Sequence, residues 1–201
     1  MWHMPASVGQ VSGEDIYMTR VLRTALLGIT AATMLVAVAC APMPTTPPAT
    51  STVDSVDVSR YQGTWYEVGS VKQFFSLGLV NTTAVYSLRP DGNIKVVNTG
   101  NYFFANGPQS RIVGSAVPVD ASNARLNVSF TGSNSTQGPG NYWIVDLDAD
   151  YQWAIVSDRS GSSGFILNRT PDISPGFYDE LVQRADDKGV NTSALTVTPQ
   201  V

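Results

Sequence analysis

From Val56 to Arg169, apolar residues recur at every second position in short runs, and glycine, proline, asparagine and aspartate separate the runs. Alternation with period two marks strands that bury one face. It predicts strands over Gly63–Ser70, Thr82–Arg89, Ile94–Gly100, Ser110–Val119, Arg125–Phe130, Tyr142–Asp148, Gln152–Ser157 and Gly164–Arg169. Pro90-Asp91-Gly92-Asn93 supplies a tight turn between the second and third. No helical pattern interrupts the eight, which sit mostly at hairpin spacing. The predicted fold is all-β: eight antiparallel strands in an up-and-down barrel, whose interior has room for one small ligand. In the fifth strand Leu126, Val128 and Phe130 share a face opposite Arg125, Asn127 and Ser129. In the second, Ala84, Tyr86 and Leu88 form the apolar set, blurred by Val85. Such a face is core by default and becomes a ligand wall only where the barrel is left unfilled.

After the eighth strand the period changes. Thr170-Pro171 breaks the sheet, Asp172 or Ser174 can cap a helix with Pro175 in its first turn, and Lys188-Gly189 ends it. Phe177, Leu181, Val182 and Ala185 make one apolar stripe, so this helix is expected to pack on the outer wall. A second irregularity is the long connection Val71 to Asn81, which contains Phe74-Phe75-Ser76-Leu77-Gly78-Leu79. A connection of this length is usually functional, and an apolar one needs a reason to face water. Phe74 and Phe75 can also simply plug the barrel as core, and Tyr102-Phe103-Phe104 offers a further apolar rim.

Composition narrows the chemistry. Charged residues are 14% of the chain, the net charge is -4 and the 12 Lys and Arg are scattered. No basic face suited to nucleic acid results. The single histidine is His3 and the single cysteine Cys40, both ahead of the barrel. A histidine-dependent triad, a histidine metal site and an intrachain disulfide are thereby excluded. A carboxylate pair would have to come from Glu67, Asp146, Asp148 and Asp150, and the three aspartates read as turn and strand-end residues. They imitate the start of a calcium loop, but Tyr151 replaces its glycine and Ser157 its final glutamate. No metal or cofactor is expected.

The segment ahead of the barrel reads as an address. Residues 1–17 match nothing and are expected to be a non-native or mis-started extension. From Met18, Arg20 and Arg23 form a charged region and Ala25 to Val38 an apolar one. That stretch falls short of the roughly 20 apolar residues a bilayer span needs, so 18–39 is expected to be a signal peptide. Leu35-Val36-Ala37-Val38-Ala39-Cys40 resembles the bacterial lipobox, with Ala37 where leucine is usual. The resemblance implies an exported protein, lipidated on Cys40 and anchored to a bacterial membrane, facing the periplasm or the cell exterior. The alternative is a plain secretory signal cleaved nearby. A diacyl anchor holds stably because each buried CH₂ contributes about 0.8 kcal/mol. Residues 40–54, rich in Pro and Thr, read as a tether of about 3.1 Å per residue, and 55–201 as the folded domain.

Three segments carry a further resemblance. Tyr61-Gln62-Gly63-Thr64-Trp65-Tyr66-Glu67 opens the first strand, Asp148-Ala149-Asp150-Tyr151 turns between the sixth and seventh, and Asn168-Arg169-Thr170-Pro171 ends the eighth. In this order, with this strand count and the helix that follows, they resemble the signatures of the lipocalin family over about Val56 to Val197. The span Gly63 to Arg89 is most similar to the bacterial outer-membrane lipoprotein branch, which is related to apolipoprotein D and the plant temperature-induced lipocalins. Ala149 stands where the family commonly has Thr, as in the bacterial branch.

The resemblance implies structural roles for Gly63, Trp65, Asp150, Tyr151 and Arg169. Arg169 should lie across the Trp65 ring on the barrel floor, a contact worth about 0.5–2 kcal/mol. It also implies that the Phe74–Leu79 segment is a lid, and that the barrel binds a fatty acid or lysophospholipid for storage or transport in the cell envelope. The expected ligand-binding residues are Phe75, Leu79, Tyr86, Leu126, Val128, Phe130, Tyr142 and Phe165, around one acyl chain with its headgroup at the mouth. Glu67 alternates with Trp65 and reads equally as an inward carboxylate or as a paired structural residue. The alternatives are a lipocalin-fold enzyme acting on a lipid and an envelope module with a filled barrel. A homodimer is left open.

Overall fold

All eight predicted strands form, in the computed structural model that describes residues 51–201: β1 (Gly63–Val71), β2 (Leu79–Leu88), β3 (Ile94–Tyr102), β4 (Gln109–Pro118), β5 (Arg125–Ser129), β6 (Tyr142–Leu147), β7 (Trp153–Ser157) and β8 (Gly164–Asn168). Each pairs antiparallel with the next, and β1 pairs with both β8 and β2, so the sheet closes on itself. The expected leader, Cys40 and residues 40–50 of the tether lie outside the described residues. The 71–81 connection is shorter than alternation predicted. β2 continues past a bulge between Val80 and Thr83 up to Leu79↔Tyr102, leaving one 3₁₀ turn, Phe74–Ser76, between β1 and β2.

Short elements outside the eight strands and the C-terminal helix have no counterpart in the alternation. A single helical turn, α1 (Val58–Tyr61), precedes β1, capped by Asp57, whose side chain accepts from Ser59 N at 2.8 Å. A short strand follows the C-terminal helix: β9 (Leu195–Val197), paired with β1 through Gly69↔Val197 and Val71↔Leu195.

The closed end is built around Arg169. Its guanidinium carbon lies 3.7 Å from the centre of the Trp65 ring. Its nitrogens donate to Thr64 O (2.9 Å), Arg60 O (2.8 Å) and Tyr151 O (3.2 Å), tying together β1, α1 and the β6–β7 turn. Gly63 takes φ +94°, and a Cβ there would lie 3.4 Å from Arg169 Nη1. A side chain would therefore meet both backbone strain and the guanidinium. Trp65 is fully buried and its indole N–H donates to Tyr61 O at 2.8 Å. Tyr151 adopts φ 60°, its hydroxyl accepts from Asp57 N at 2.9 Å, and Arg60 stacks on its ring at 4.1 Å.

Outside the barrel lies α2 (Pro175–Asp187). Of the two predicted caps, Ser174 is the one used, accepting from Phe177 N at 3.2 Å, and Gly189 follows with φ 79°. Leu181 packs on Val68 and Ile166, and Ala185 on the Trp143, Val145 and Ile155 cluster. Arg184 lies over the Trp153 ring at 4.7 Å and reaches Asp146 at 2.9 Å. The helix comes close to β1, since a Cβ on Gly69 would fall 2.8 Å from the Tyr178 hydroxyl.

The β1–β2 ladder runs only from Gly63↔Tyr86 to Tyr66↔Thr83. Beyond it, the segment after β9 fills the seam. The Gln200 side-chain amide donates to Glu67 O (2.8 Å) and Thr82 O (3.2 Å), Thr198 N to Val68 O (3.0 Å) and Asn81 N to Pro199 O (2.8 Å). Backbone groups that would be orphaned by the splayed strands are thus satisfied.

Replacing Arg169 tests the keystone. Arg169→Ala removes the stacked cation and three donated bonds and should cost about 2–4 kcal/mol in urea unfolding. Arg169→Lys, which keeps the charge but loses the planar fork, should fall between. A loss below about 0.5 kcal/mol for the alanine variant would make the contact a bystander.

Candidate ligand-binding site

Above the closed end the barrel is not filled. A cavity of about 260 Å³ is walled by Glu67 on β1, Thr82, Thr83, Ala84 and Tyr86 on β2, Val96 and Asn98 on β3, Val128 on β5, Tyr142 on β6 and Phe165 and Leu167 on β8, with Phe130 and Asn141 from the β5–β6 connection. Below it the interior is packed: Trp65, Ala116, Ala124, Ile144, Ala154 and Val156 have no exposed surface. The cavity is therefore a pocket with a floor.

That floor is phenolic. Tyr61, from α1, packs against Trp65 with ring centres 4.9 Å apart and against Tyr86 at 5.5 Å. The Tyr142 hydroxyl lies 2.9 Å from those of Tyr61 and Tyr86. Burial pushes the Tyr86 phenol up to about 12, a shift its bond with Tyr142 opposes and the charge of Glu67 reinforces. Burial also raises Tyr61 and Tyr142 well above the ordinary range, with further upward pushes from Tyr86 on Tyr61 and from both neighbours on Tyr142.

Glu67 is both inward-facing and paired. One oxygen, Oε1, accepts from Ser70 (2.6 Å), Lys72 (2.8 Å) and Thr198 (2.7 Å). A bulge between Glu67 and Gly69 in the pairing with β8 turns Val68 outward to the helix while keeping Glu67 and Ser70 buried. At the mouth Asn141 completes the wall. Its side-chain amide accepts from Val128 N at 2.7 Å and donates to Val128 O at 2.9 Å, extending the β5–β6 ladder past its last backbone pair, Leu126↔Tyr142.

Among the expected ligand-binding residues, Tyr86, Val128, Phe130, Tyr142 and Phe165 line the cavity. Leu126 shares their face but lies in the packed layer, 2% exposed. Leu79 is not on the wall. It opens β2 beyond the bulge between Val80 and Thr83, where Asn81 takes φ 53°, and pairs with Tyr102, and its Cδ2 lies 3.5 Å from the Cβ position of Gly100. Leu88, at the end of β2, is 47% exposed and outside the core. Phe75 is part of the 3₁₀ turn, and its side chain lies outside the described residues. The polar wall residues Thr82, Thr83, Asn98 and Asn141 were missed, although Asn98 continues the Ile94–Val96 alternation. At the end of the barrel opposite Arg169, the β1–β2 and β3–β4 connections carry exposed apolar side chains, Phe74, Leu77, Phe103 and Phe104. These two connections are joined where Phe103 N donates to Gly78 O at 2.7 Å.

Residues 56–200 match the family described as a lipocalin-like domain. The chain belongs to the lipocalin family. This lipocalin is 36% identical to the temperature-induced lipocalin-1 of Arabidopsis thaliana, over 74% of this chain and 81% of that protein. It is also 36% identical to the outer membrane lipoprotein Blc of Escherichia coli (strain K12), over 82% of this chain and 91% of that one. Among solved structures it resembles apocrustacyanin C2, with TM-score 0.54 and 18% identity, covering 72% of this chain and 80% of that chain. It resembles insecticyanin of the tobacco hornworm Manduca sexta with TM-score 0.52 and 15% identity, covering 76% and 85%. At those identities the structural likeness speaks for the barrel alone.

The phenolic floor makes the lipocalin sensitive to alkali. A buried phenol whose folded pKa is raised contributes stability that is fully present below the unfolded value near 10 and lost as pH rises toward the folded value. For Tyr86 that window runs from about 10 to about 12. Absorbance at 295 nm should show Tyr61, Tyr86 and Tyr142 ionising together with unfolding and later than the exposed tyrosines. One smooth titration near 10 in the folded protein would contradict a closed floor.

Proposed function

We propose that this lipocalin binds a single acyl chain, as a fatty acid or lysophospholipid, with the hydrocarbon inside the barrel and the headgroup at the mouth. The observation that carries the reading is the unfilled pocket, whose wall includes Ala84, Val96, Val128, Phe165 and Leu167, in a barrel whose open end carries exposed apolar side chains. A volume of about 260 Å³ lies just below the range of roughly 300–1,000 Å³ usual for small-molecule sites. That favours one slender chain over a bulky body. Each methylene withdrawn from water contributes about 0.8 kcal/mol, so the upper methylenes and the headgroup can remain at the rim while the buried part supplies affinity. Glu67 supports the headgroup's place, since a second carboxylate beside it would be repelled. Its bonds to Ser70, Lys72 and Thr198 give this acid a structural task, which favours binding over catalysis.

The protein would do this at a membrane. On this reading residues 18–39 direct export, Cys40 carries the acyl anchor, and residues 40–54 hold the barrel within reach of envelope lipids, for storage or transport. The similarity to a protein named as an outer membrane lipoprotein supports that placement.

Solvent extraction of purified protein followed by mass spectrometry should yield about one single-chain lipid per barrel, and the delipidated protein should take up a fluorescent fatty acid. Val128→Trp, which fills the pocket from β5, should weaken uptake at least tenfold with the fold retained by circular dichroism. An empty extract together with no uptake would sink the reading. Separately, cells fed labelled palmitate should label the wild-type chain and not Cys40→Ser. An unlabelled wild type would remove the anchor.

A further inference from the structure

The hydroxyls on the cavity floor do not balance. Tyr61, Tyr142 and Tyr86 bring three protons, and their two contacts, both 2.9 Å and both centred on Tyr142, use two. No other group among the described residues bonds these hydroxyls. One O–H is therefore left without an acceptor whatever the order of donation. If Tyr61 donates to Tyr142 and Tyr142 to Tyr86, the spare proton is on Tyr86. If both outer hydroxyls donate inward, it is on Tyr142. Both residues are on the cavity wall, whereas Tyr61, which would hold the proton in the reverse order, is not. Burial keeps all three phenols protonated at neutral pH. The spare donor therefore faces the cavity, where a ligand oxygen can accept from it in place of water.

The surroundings decide what kind of acceptor fits. Among the described residues no cation is on the wall: Arg169 stacks on Trp65 at the closed end, and Lys72 is bound to Glu67. A carboxylate at this depth would give up its hydration for phenolic donors alone, a large penalty for an unpaired charge. A hydroxyl or carbonyl oxygen gives up far less and completes the phenolic chain. A second unmatched pair lies higher on the same wall, where Asn98 Oδ1 and Thr82 Oγ1 are buried with no partner. Asn98 pairs with Ala84 and Val96 with Tyr86, which places Asn98 two residues, about 7 Å, above the level of the floor.

We infer that Tyr86 and Tyr142 form a hydrogen-bonding subsite for a neutral oxygen at the buried end of the bound chain. The ligand class is then an acyl chain hydroxylated or oxidised to a ketone at or next to its tail end. This inference rests on the proposed binding of an acyl chain and specifies which chains the barrel accommodates.

The test compares two chains of equal length, a plain fatty acid and its analogue with a ketone at the penultimate carbon, as competitors of a fluorescent fatty acid. On passing from the wild type to the Tyr86→Phe/Tyr142→Phe double variant, the keto acid should lose about tenfold in affinity while the plain acid is unchanged or gains. Equal changes for the two chains would overturn the subsite and leave acyl binding intact. No binding of either chain by the wild type would instead mark failure of the acyl-chain reading, with which the subsite falls. Should the double variant fail to fold, the wild-type complex with a keto acid ¹³C-labelled at its ketone decides. Its carbonyl stretch should fall below its frequency in hexane, and a stretch at the hexane value would overturn the inference.

Discussion

Arg169 lies with its guanidinium across the buried indole of Trp65, and the closed end of the barrel is organised by that contact. The cation sits where β8 ends, the ring where β1 begins, and the three donated bonds reach α1, β1 and the β6–β7 turn. Strands remote in sequence are thereby held in one ring. Everything functional follows from having one end shut: with Tyr61 and Trp65 stacked beneath it, the interior becomes a blind pocket reached from the opposite rim.

A barrel that leaves its interior partly empty forgoes some burial there, and the outer face supplies an alternative. Leu181 and Ala185 of α2 are fully buried against outward side chains of β1, β6, β7 and β8. At roughly 25 cal/mol for each Å² of apolar surface removed from water, this second core adds stability without consuming ligand volume. The division of labour is visible along β1, where the bulge at Glu67–Gly69 sends Val68 to the helix and keeps Glu67 and Ser70 buried.

The strands and α2 were legible because their signals are local. Period-two alternation survives wherever one face is buried, and Ser174 followed by Pro175 is a cap that works through short-range hydrogen bonding. α1 and β9 escaped because four and three residues carry no period. The apolar wall of the pocket was legible in Tyr86, Val128, Phe130, Tyr142 and Phe165. Leu126 was misplaced because alternation reports which face a side chain takes and nothing about depth. Leu79 was misplaced because the resemblance assigned it to a lid, whereas it opens β2 beyond the Val80–Thr83 bulge and is off the cavity wall. Asn98 and Thr82 were passed over because a polar residue between apolar ones reads as outward, whereas here both oxygens are buried.

The seam between β1 and β2 is completed by Thr198, Pro199 and Gln200, more than a hundred residues downstream of both strands. Hairpins from β2 to β8 can zip up from neighbours, but ring closure must wait for a partner at the far end of the chain. Non-local pairing of that kind slows folding, because loop entropy is lost before contacts compensate it. A sheet formed before those residues were made would be an open ribbon, with both the pocket wall and the edge of β1 exposed. Such a ribbon would stay open to pairing with other chains until Thr198, Pro199 and Gln200 had been made.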